Sequence, residues 1–412
     1  MTEVLQKVKE ASKKIATLKG GIKDKILLEM ADNLENKADL IIEENKKDLE
    51  YAKNANLSSA LVDRLLLNET RISSMAKALR EIASLKNPVG RILEGWELPN
   101  GLRIEKTAIP IGVIGIIYES RPNVTSDAAA LCFKSGNACI LKGGKEAEHS
   151  NRIIAEVLQD VLVKNNLPKE AISLLPDYSR EGVAKLIKMD KYVDLIIPRG
   201  GEGLVRYVSE NATVPVVKHD KGLCHTYIHK DADIEKALNI SINAKVQRPG
   251  VCNAMETLIV DKEIAPTILP LLDAEFAKAN TELRGDEEAC KIVPIKQADE
   301  KDWDTEYLAN ILSIKVVKNV NEAIAHIQKY GSGHSEAIIT ENYSASEKFL
   351  NEIDAACVYV NASTRFTDGG EFGFGAEVGI STNKLHARGP MGINDLTTYK
   401  FKIYGEGQIR WM

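Results

Sequence analysis

No C-x-x-C pair occurs among the six cysteines, at positions 132, 139, 224, 252, 290 and 357. Their scatter along a long chain argues against a disulfide framework and gives no zinc spacing, so no metal is expected. No apolar run is long enough to span a bilayer. The longest uncharged one, "TAIPIGVIGIIY" at 107–118, falls well short of the roughly 20 residues required. The opening "MTEVLQKVKEASKK" is charged from its start and lacks the apolar core of a signal peptide. A strong excess of one charge is missing too. The formal net charge is -5 and the isoelectric point is near 5.9, which gives no footing for a nucleic-acid or anionic-membrane partner. Internal repeats, low-complexity runs and long linkers are also absent. These absences lead to the expectation of a soluble cytoplasmic protein.

The chain has 412 residues, 44% of them hydrophobic, enough to bury a large core and divide into at least two domains. The first ninety residues read as helices. "SSALVDRLLLNETRISSMAKALREIASL" carries apolar positions at helical spacing, with serines in front and "KNP" behind. "GLRIEKTAIPIGVIGIIYES" then switches to strand character. From there "ACILKG", "AISLLP", "VDLIIPRG" and "VPVVKH" alternate as strands with amphipathic helices. Continuous apolar strands separated by helices imply a doubly wound parallel sheet, which binds nucleotides at the carboxyl ends of its strands. A second α/β series begins near 222 and includes "CHTYIHK", "METLIVD", "SIKVVKN", "SEAIIT" and "ACVYVN". The tail "TTYKFKIYGEGQ" alternates like an edge strand and needs a partner, for which a second subunit is the simplest source.

Three short stretches invite chemistry. "QRPGVCNAMETLIV" at 247–260 places Cys252 in a bend just before an apolar strand. On its own terms this thiol is filler, a metal ligand, half of a disulfide or a nucleophile. "CILKGGKE" imitates a phosphate-binding loop but has Cys139 at the first glycine position and Glu146 where Ser or Thr belongs. "RGGEGLVR" follows a strand and opens a helix, yet lacks the third glycine of a dinucleotide fingerprint. It reads either as a helix N-terminus facing an anion or as a tight turn. Lys142, at the end of "ACILK", is either a cofactor contact or a solvated strand end.

Taken in order, "SRPNVTSDAAALC", "SGNACILKGG", "PRGGEG", "QRPGVCN", "WDTEY" and "FGFGAEVGIST" resemble the aldehyde dehydrogenase superfamily over nearly the whole chain. The resemblance implies an α/β fold with a doubly wound cofactor domain, an α/β catalytic domain and a small β oligomerisation element. The expected boundaries are 1–221 for the cofactor domain, 222–392 for the catalytic domain and 393–412 for the oligomerisation strand, with 100–112 as a further piece of that element. Cys252 matches the family's nucleophile and Asn123 its oxyanion-hole asparagine. Lys142, Gly144, Lys145 and Gly201 match the cofactor-contacting loops, Lys145 being suited to the 2′-phosphate of NADPH. Glu306 matches the glutamate that holds the nicotinamide ribose. Arg121, His225 and Arg365 lie in family-matching loops and are candidates for the anionic groups of a substrate.

Within that family, "YESRPNVT", "KHDKGLCHTYI" and "RPGVCNAMETL" look like the branch that reduces an acyl phosphate, L-glutamyl 5-phosphate, with NADPH. Hydrolytic members carry a general-base glutamate upstream of the nucleophile. The corresponding stretch here is "VVKHDKGLCH", with His219 or its neighbours in that place and no glutamate. Such a base would hydrolyse the thioester, so its absence implies a reductive route through a cysteinyl thioester. Glutamate 5-kinase, which makes the acyl phosphate, is the partner this implies, and a homodimer the expected assembly. The competing expectations are another acyl reductase or dehydrogenase of the same fold, or a silent partner of that kinase.

Overall fold

The computed structural model describes residues 1–217 and 221–410. Two compact units are present. One comprises Met1–Lys218, Gly373–Gly379 and Met391–Met412, the other His219–Phe372 and Ile380–Pro390.

The first unit begins with five helices between Thr2 and Ser84. The run 58–85, with its unbroken helical spacing, is two helices, Ser59–Leu65 and Glu69–Ser84. Asn68 stands extended between them and its side chain accepts from Arg71 N at 2.9 Å, an N-cap that begins the second helix anew. Strands β1 (Ile92–Glu97) and β2 (Arg103–Pro110) form an antiparallel hairpin. The single strand stretch expected over 101–120 divides at Ile111 and Gly112, and its second half is β3 (Val113–Tyr118). With β4 (Ala138–Lys142), β5 (Ile172–Leu174) and β6 (Leu195–Arg199) it builds a parallel sheet in the order β5-β4-β3-β6. β3 and β4 are buried at every position, as a sheet covered on both faces requires. "VPVVKH" contributes one bridge, Val216 to Ile196, and no regular strand among the described residues. The strand order reverses between β3 and β6, so the ligand-binding crevice of a doubly wound sheet falls outside their carboxyl ends.

The second unit is built on a seven-stranded parallel sheet. In chain order its strands are β7 (Cys224–Ile228), β8 (Met255–Asp261), β9 (Glu282–Gly285), β10 (Lys296–Gln297), β11 (Ile311–Val317), β12 (Ser335–Ile339) and β13 (Cys357–Val360). They lie in the order β10-β9-β11-β8-β7-β12-β13. β7, β8 and β12 are buried throughout. A core of Leu258, Val260, Ile268, Leu272, Phe276 and Leu312 packs one face, and Tyr227, Ile259, Ile324, Ile327 and Phe349 pack the other.

Two expectations are corrected. Gly373–Gly379 falls with the first unit, inside the stretch assigned to the catalytic domain. The reason is packing: a Cβ on Gly375 would lie 2.5 Å from Leu85, and one on Gly379 2.8 Å from Arg199. The tail strand does not wait for a second chain. After a short ribbon of β14 (Gly379–Ser381) and β15 (Gly389–Met391), β16 (Thr397–Tyr404) pairs antiparallel with β2 over its whole length. The resulting sheet β1-β2-β16 exposes Trp96, Phe401 and Ile403. Among the described residues no helix is long and apolar enough to cross a membrane, and none of the six cysteines is joined in a disulfide.

Candidate active site

Cys252 stands between the helix Ile234–Val246 and β8, half-buried, at the amino ends of β7 and β8. Asp233 caps that helix by accepting from Lys236 N at 2.9 Å, and Pro249 follows its end. An ion pair clasps the neck of the turn. Lys245 Nζ meets Glu256 Oε2 at 2.6 Å with both side chains fully buried. Burial pushes the Glu256 carboxyl up to about 7 against the pull of Lys245, and burial lowers the Lys245 ammonium. Glu256 Oε1 also accepts from Leu308 N at 3.2 Å.

The turn is held on two further sides. Behind it, Gly222 packs so closely that a Cβ there would lie 2.0 Å from the Cys252 carbonyl oxygen. Cys224 Sγ donates to that same oxygen at 3.2 Å. Burial raises the Cys224 thiol well above its usual range, which keeps it a donor. In front, the short helix Thr364–Phe366 is sewn to Asn253: Thr364 Oγ1 donates to Asn253 O at 2.8 Å, and Asn253 Nδ2 donates to Thr367 O at 2.8 Å. The Cys252 thiol is thus half-buried on a turn fastened on several sides.

Arg365 lies beside it. Its Nε donates to Gln247 Oε1 at 2.9 Å. Burial lowers the Arg365 guanidinium from its ordinary range, the charge of Arg248 acts the same way, and Asp368 and Cys252 oppose them. Arg248, absent from the residues that the family motifs mark, stands four residues before Cys252 in "QRPGVC". A second cation that close to Cys252 was the available signal. Glu306 Oε1 accepts from Gly222 N at 3.0 Å, so the glutamate matched to ribose binding also steadies the segment that leads into β7 behind Cys252. His219 lies outside the described residues.

His225 is a correction. It is wholly buried in β7, and Glu336 Oε2 is 2.9 Å from both its ring Nδ1 and its backbone N. Its ring stands edge-on to His326, whose imidazole burial lowers to about 3. An imidazole so enclosed belongs to the core and does not meet an anion arriving from solvent.

In the first unit a cavity of about 960 Å³ opens at the carboxyl ends of β3 and β4. Lys142, Gly144 and Lys145 form one wall, Leu204 and Tyr207 another. Burial lowers the Lys142 ammonium against the opposing pull of Glu146, Asp177 and Glu119. Lys145 is exposed, with Nζ 5.9 Å from the Tyr51 ring centre. Gly201 N-caps the helix Glu202–Asn211, and its N–H goes to Glu119 Oε2 at 3.0 Å.

Glu146, which spoils the phosphate-loop pattern, has a different task. Its Oε1 accepts from Ser120 N at 2.8 Å and Ser120 Oγ at 2.6 Å. A side chain on Gly144 would strike that carboxylate, at 2.0 Å from Oε1. Ser120 is thereby held at φ +32°, a left-handed conformation that costs a non-glycine residue about 1–3 kcal/mol. Arg121 and Asn123 follow it, both exposed. Asn123 opens the helix Asn123–Lys134 and donates through Nδ2 to Asp127 Oδ2 at 3.0 Å. Burial pushes the Asp127 carboxyl up to about 6, with Asn123 opposing. A primary amide has two N–H donors, so the bond to Asp127 does not exhaust it.

The model of the aldehyde dehydrogenase family matches residues 1–310 and 296–401 of this chain. The chain belongs to the aldehyde dehydrogenase family. Its relatives include the gamma-glutamyl phosphate reductase of Nautilia profundicola, 73% identical over 410 residues, and that of Nitratiruptor sp., 70% identical over 411 residues. Both alignments cover 100% of each chain. Among solved structures, the gamma-glutamyl phosphate reductase of Thermotoga maritima superposes with a TM-score of 0.98 at 48% identity, covering 100% of this chain and 99% of that one.

Proposed function

We propose that this chain catalyses the reduction of L-glutamyl 5-phosphate to L-glutamate 5-semialdehyde with release of phosphate, the gamma-glutamyl phosphate reductase step of proline biosynthesis. What carries the reading is Cys252: a half-buried thiol, bound through its carbonyl, beside an arginine, in a chain 73% identical along its full length to such a reductase.

The thiolate is the reactive form, and only a few per cent of an unperturbed thiol is ionised at neutral pH. Guanidinium charge near Cys252 favours the anion. The Cys252 sulfur attacks the acyl carbon, the carbon–oxygen bond to phosphate breaks, and a thioester remains on Cys252. NADPH, held by Lys142, Lys145 and Glu306, would supply a hydride for reduction of this thioester. Collapse of the oxyanion then returns the thiolate and releases the aldehyde. Asn123 is the proposed side-chain donor to the oxyanion, a contact whose loss typically costs about 10²- to 10³-fold.

The residues around the first unit's cavity fit a nicotinamide dinucleotide. Two ammonium groups, Lys142 and Lys145, stand at one wall for phosphate or ribose oxygens. Leu57, Val183 and Leu204 supply apolar surface. A Cβ on Gly203 would meet nothing within 4 Å, which leaves the start of its helix approachable. Lys145, exposed and beside Tyr51, is the residue proposed to favour NADPH through its 2′-phosphate; Gly144 and Gly201 bring backbone close, and Glu306 is the proposed ribose ligand. Arg121 and Arg365 are the proposed contacts for the anionic ends of the substrate. The exposed aromatic sheet β1-β2-β16 is the proposed contact of a cytoplasmic homodimer, with glutamate 5-kinase as the supplier of substrate.

The test is a coupled assay with glutamate, ATP, a glutamate kinase and NADPH or NADH. Wild type should consume NADPH in preference. Cys252→Ala should lose on the order of 10⁴-fold or more in kcat. Undiminished turnover in that variant would remove the nucleophile from the scheme.

A further inference from the structure

Arg248 has no role in the scheme so far, and neither of the arginines near Cys252 has been matched to one anion of the substrate. The fold brings their segments together. Arg365 N caps onto Ser363 Oγ at 3.3 Å, its carbonyl lies 3.4 Å from Asn253 Nδ2, and its Nε reaches Gln247 Oε1 at 2.9 Å. Arg365 therefore touches Asn253 through its backbone carbonyl and Gln247, the residue before Arg248, through its side chain. Pro249 and Gly250 fold the chain back between Arg248 and Cys252. Nε of Arg365 is engaged by Gln247, and a guanidinium carries two further nitrogens, each with two N–H donors.

We propose that Arg248 and Arg365 together form the subsite for the phosphate of the acyl phosphate, and for inorganic phosphate in the reverse direction. This rests on the acyl-phosphate reading given above. The choice of phosphate over the α-carboxylate follows from bond counting. Phosphorus is two bonds from the carbon that Cys252 attacks, whereas the carboxylate carbon is four. The anion that a cation beside the sulfur meets is the nearer one. Its charge also grows at the right moment. As the sulfur–carbon bond forms and the carbon–oxygen bond breaks, the electron pair passes to the departing phosphate oxygen. Two guanidiniums offset that added charge until a solvent proton completes hydrogen phosphate. Paired arginines hold phosphate through several charge-assisted bonds, which a lysine's single ammonium does not reproduce.

Run in reverse, with glutamate 5-semialdehyde, NADP⁺ and inorganic phosphate, the reaction separates the two anions. Arg248→Gln is the first variant, since Arg248 is exposed. The KM for phosphate should rise at least about tenfold, with the KM for semialdehyde changed less than about twofold; arsenate should behave as phosphate does. Arg365→Lys should show the same split more weakly than Arg365→Gln. A raised KM for semialdehyde with an unchanged KM for phosphate would overturn the assignment and give the pair to the carboxylate. Iodoacetamide labelling of Cys252 tests it without turnover. Inorganic phosphate should slow labelling in wild type and lose that effect in Arg248→Gln. If phosphate has the same effect on both, the subsite is elsewhere. A wild type that labels as expected yet shows no phosphate-dependent turnover would instead count against the acyl-phosphate reading.

Discussion

The thiol turn of the second unit and the cavity of the first use opposite ends of parallel sheets. The cavity lies beyond the carboxyl ends of β3 and β4, where Lys142 terminates a strand and Lys145 opens the short helical turn Lys145–Ala147. Cys252 lies before the amino end of β8, locked by an ion pair, a glycine contact, a thiol hydrogen bond and the Asn253 stitches. Both units bury lysines, and differently. Lys245 has a carboxylate 2.6 Å away. Lys23 is equally enclosed, yet its Nζ donates to neutral oxygens, Asn87 Oδ1 at 3.0 Å and Lys134 O at 2.7 Å. Binding a dinucleotide tolerates loops that settle around the ligand. Covalent attack demands a sulfur within a fraction of an ångström of its place before the substrate arrives.

That contrast breaks hardest at the clasp. Lys245→Met leaves Glu256 buried and unpaired and should cost about 3–5 kcal/mol in urea unfolding, with much of it recovered in Lys245→Met/Glu256→Leu. Gly222→Ala comes next, because its methyl would intrude on the Cys252 backbone. It should lower kcat by about 10²-fold while NADPH binding, followed by fluorescence quenching, stays within twofold. Lys145→Ala is the converse lesion. It should raise the KM for NADPH about tenfold, equivalent to about 1.4 kcal/mol, and leave cofactor-free alkylation of Cys252 unchanged.

A more gradual effect is read in the pH dependence of stability. Burial lowers the Lys23 ammonium to about 8, whereas an unfolded lysine titrates near 10.4. Between those values the unfolded chain binds more protons, so the penalty of burying this charge is full below about pH 8 and fades as pH rises. Stability of wild type relative to Lys23→Met should therefore climb between pH 8 and 10. A flat difference would mean that the ammonium is better solvated than its enclosure implies.

The alternation of strands and helices was legible because both sheets are parallel and their central strands are continuous apolar runs such as "VIGIIY" and "METLIVD". Family motifs pointed to Cys252 and the strand-end lysine. What stayed hidden depends on contacts between distant segments. Nothing local shows that Glu146 is drawn away from its loop by Ser120, or that His225 faces Glu336 across two strands. The helix Ala265–Lys278, with Pro270 inside it, has no clean signature. The clasp was invisible because Lys245 and Glu256 look, in sequence, like ordinary solvated charges on either side of a bend.

The route of the chain has a consequence for biosynthesis on the ribosome. β2 receives its second neighbour only when β16 emerges, and Asn137, deep in the first unit, donates to Leu396 O at 2.8 Å. The unit that starts first is thus finished last. A nascent or truncated polypeptide ending near residue 220 would present β2 as a bare ladder of amide and carbonyl groups, open to pairing with any strand nearby.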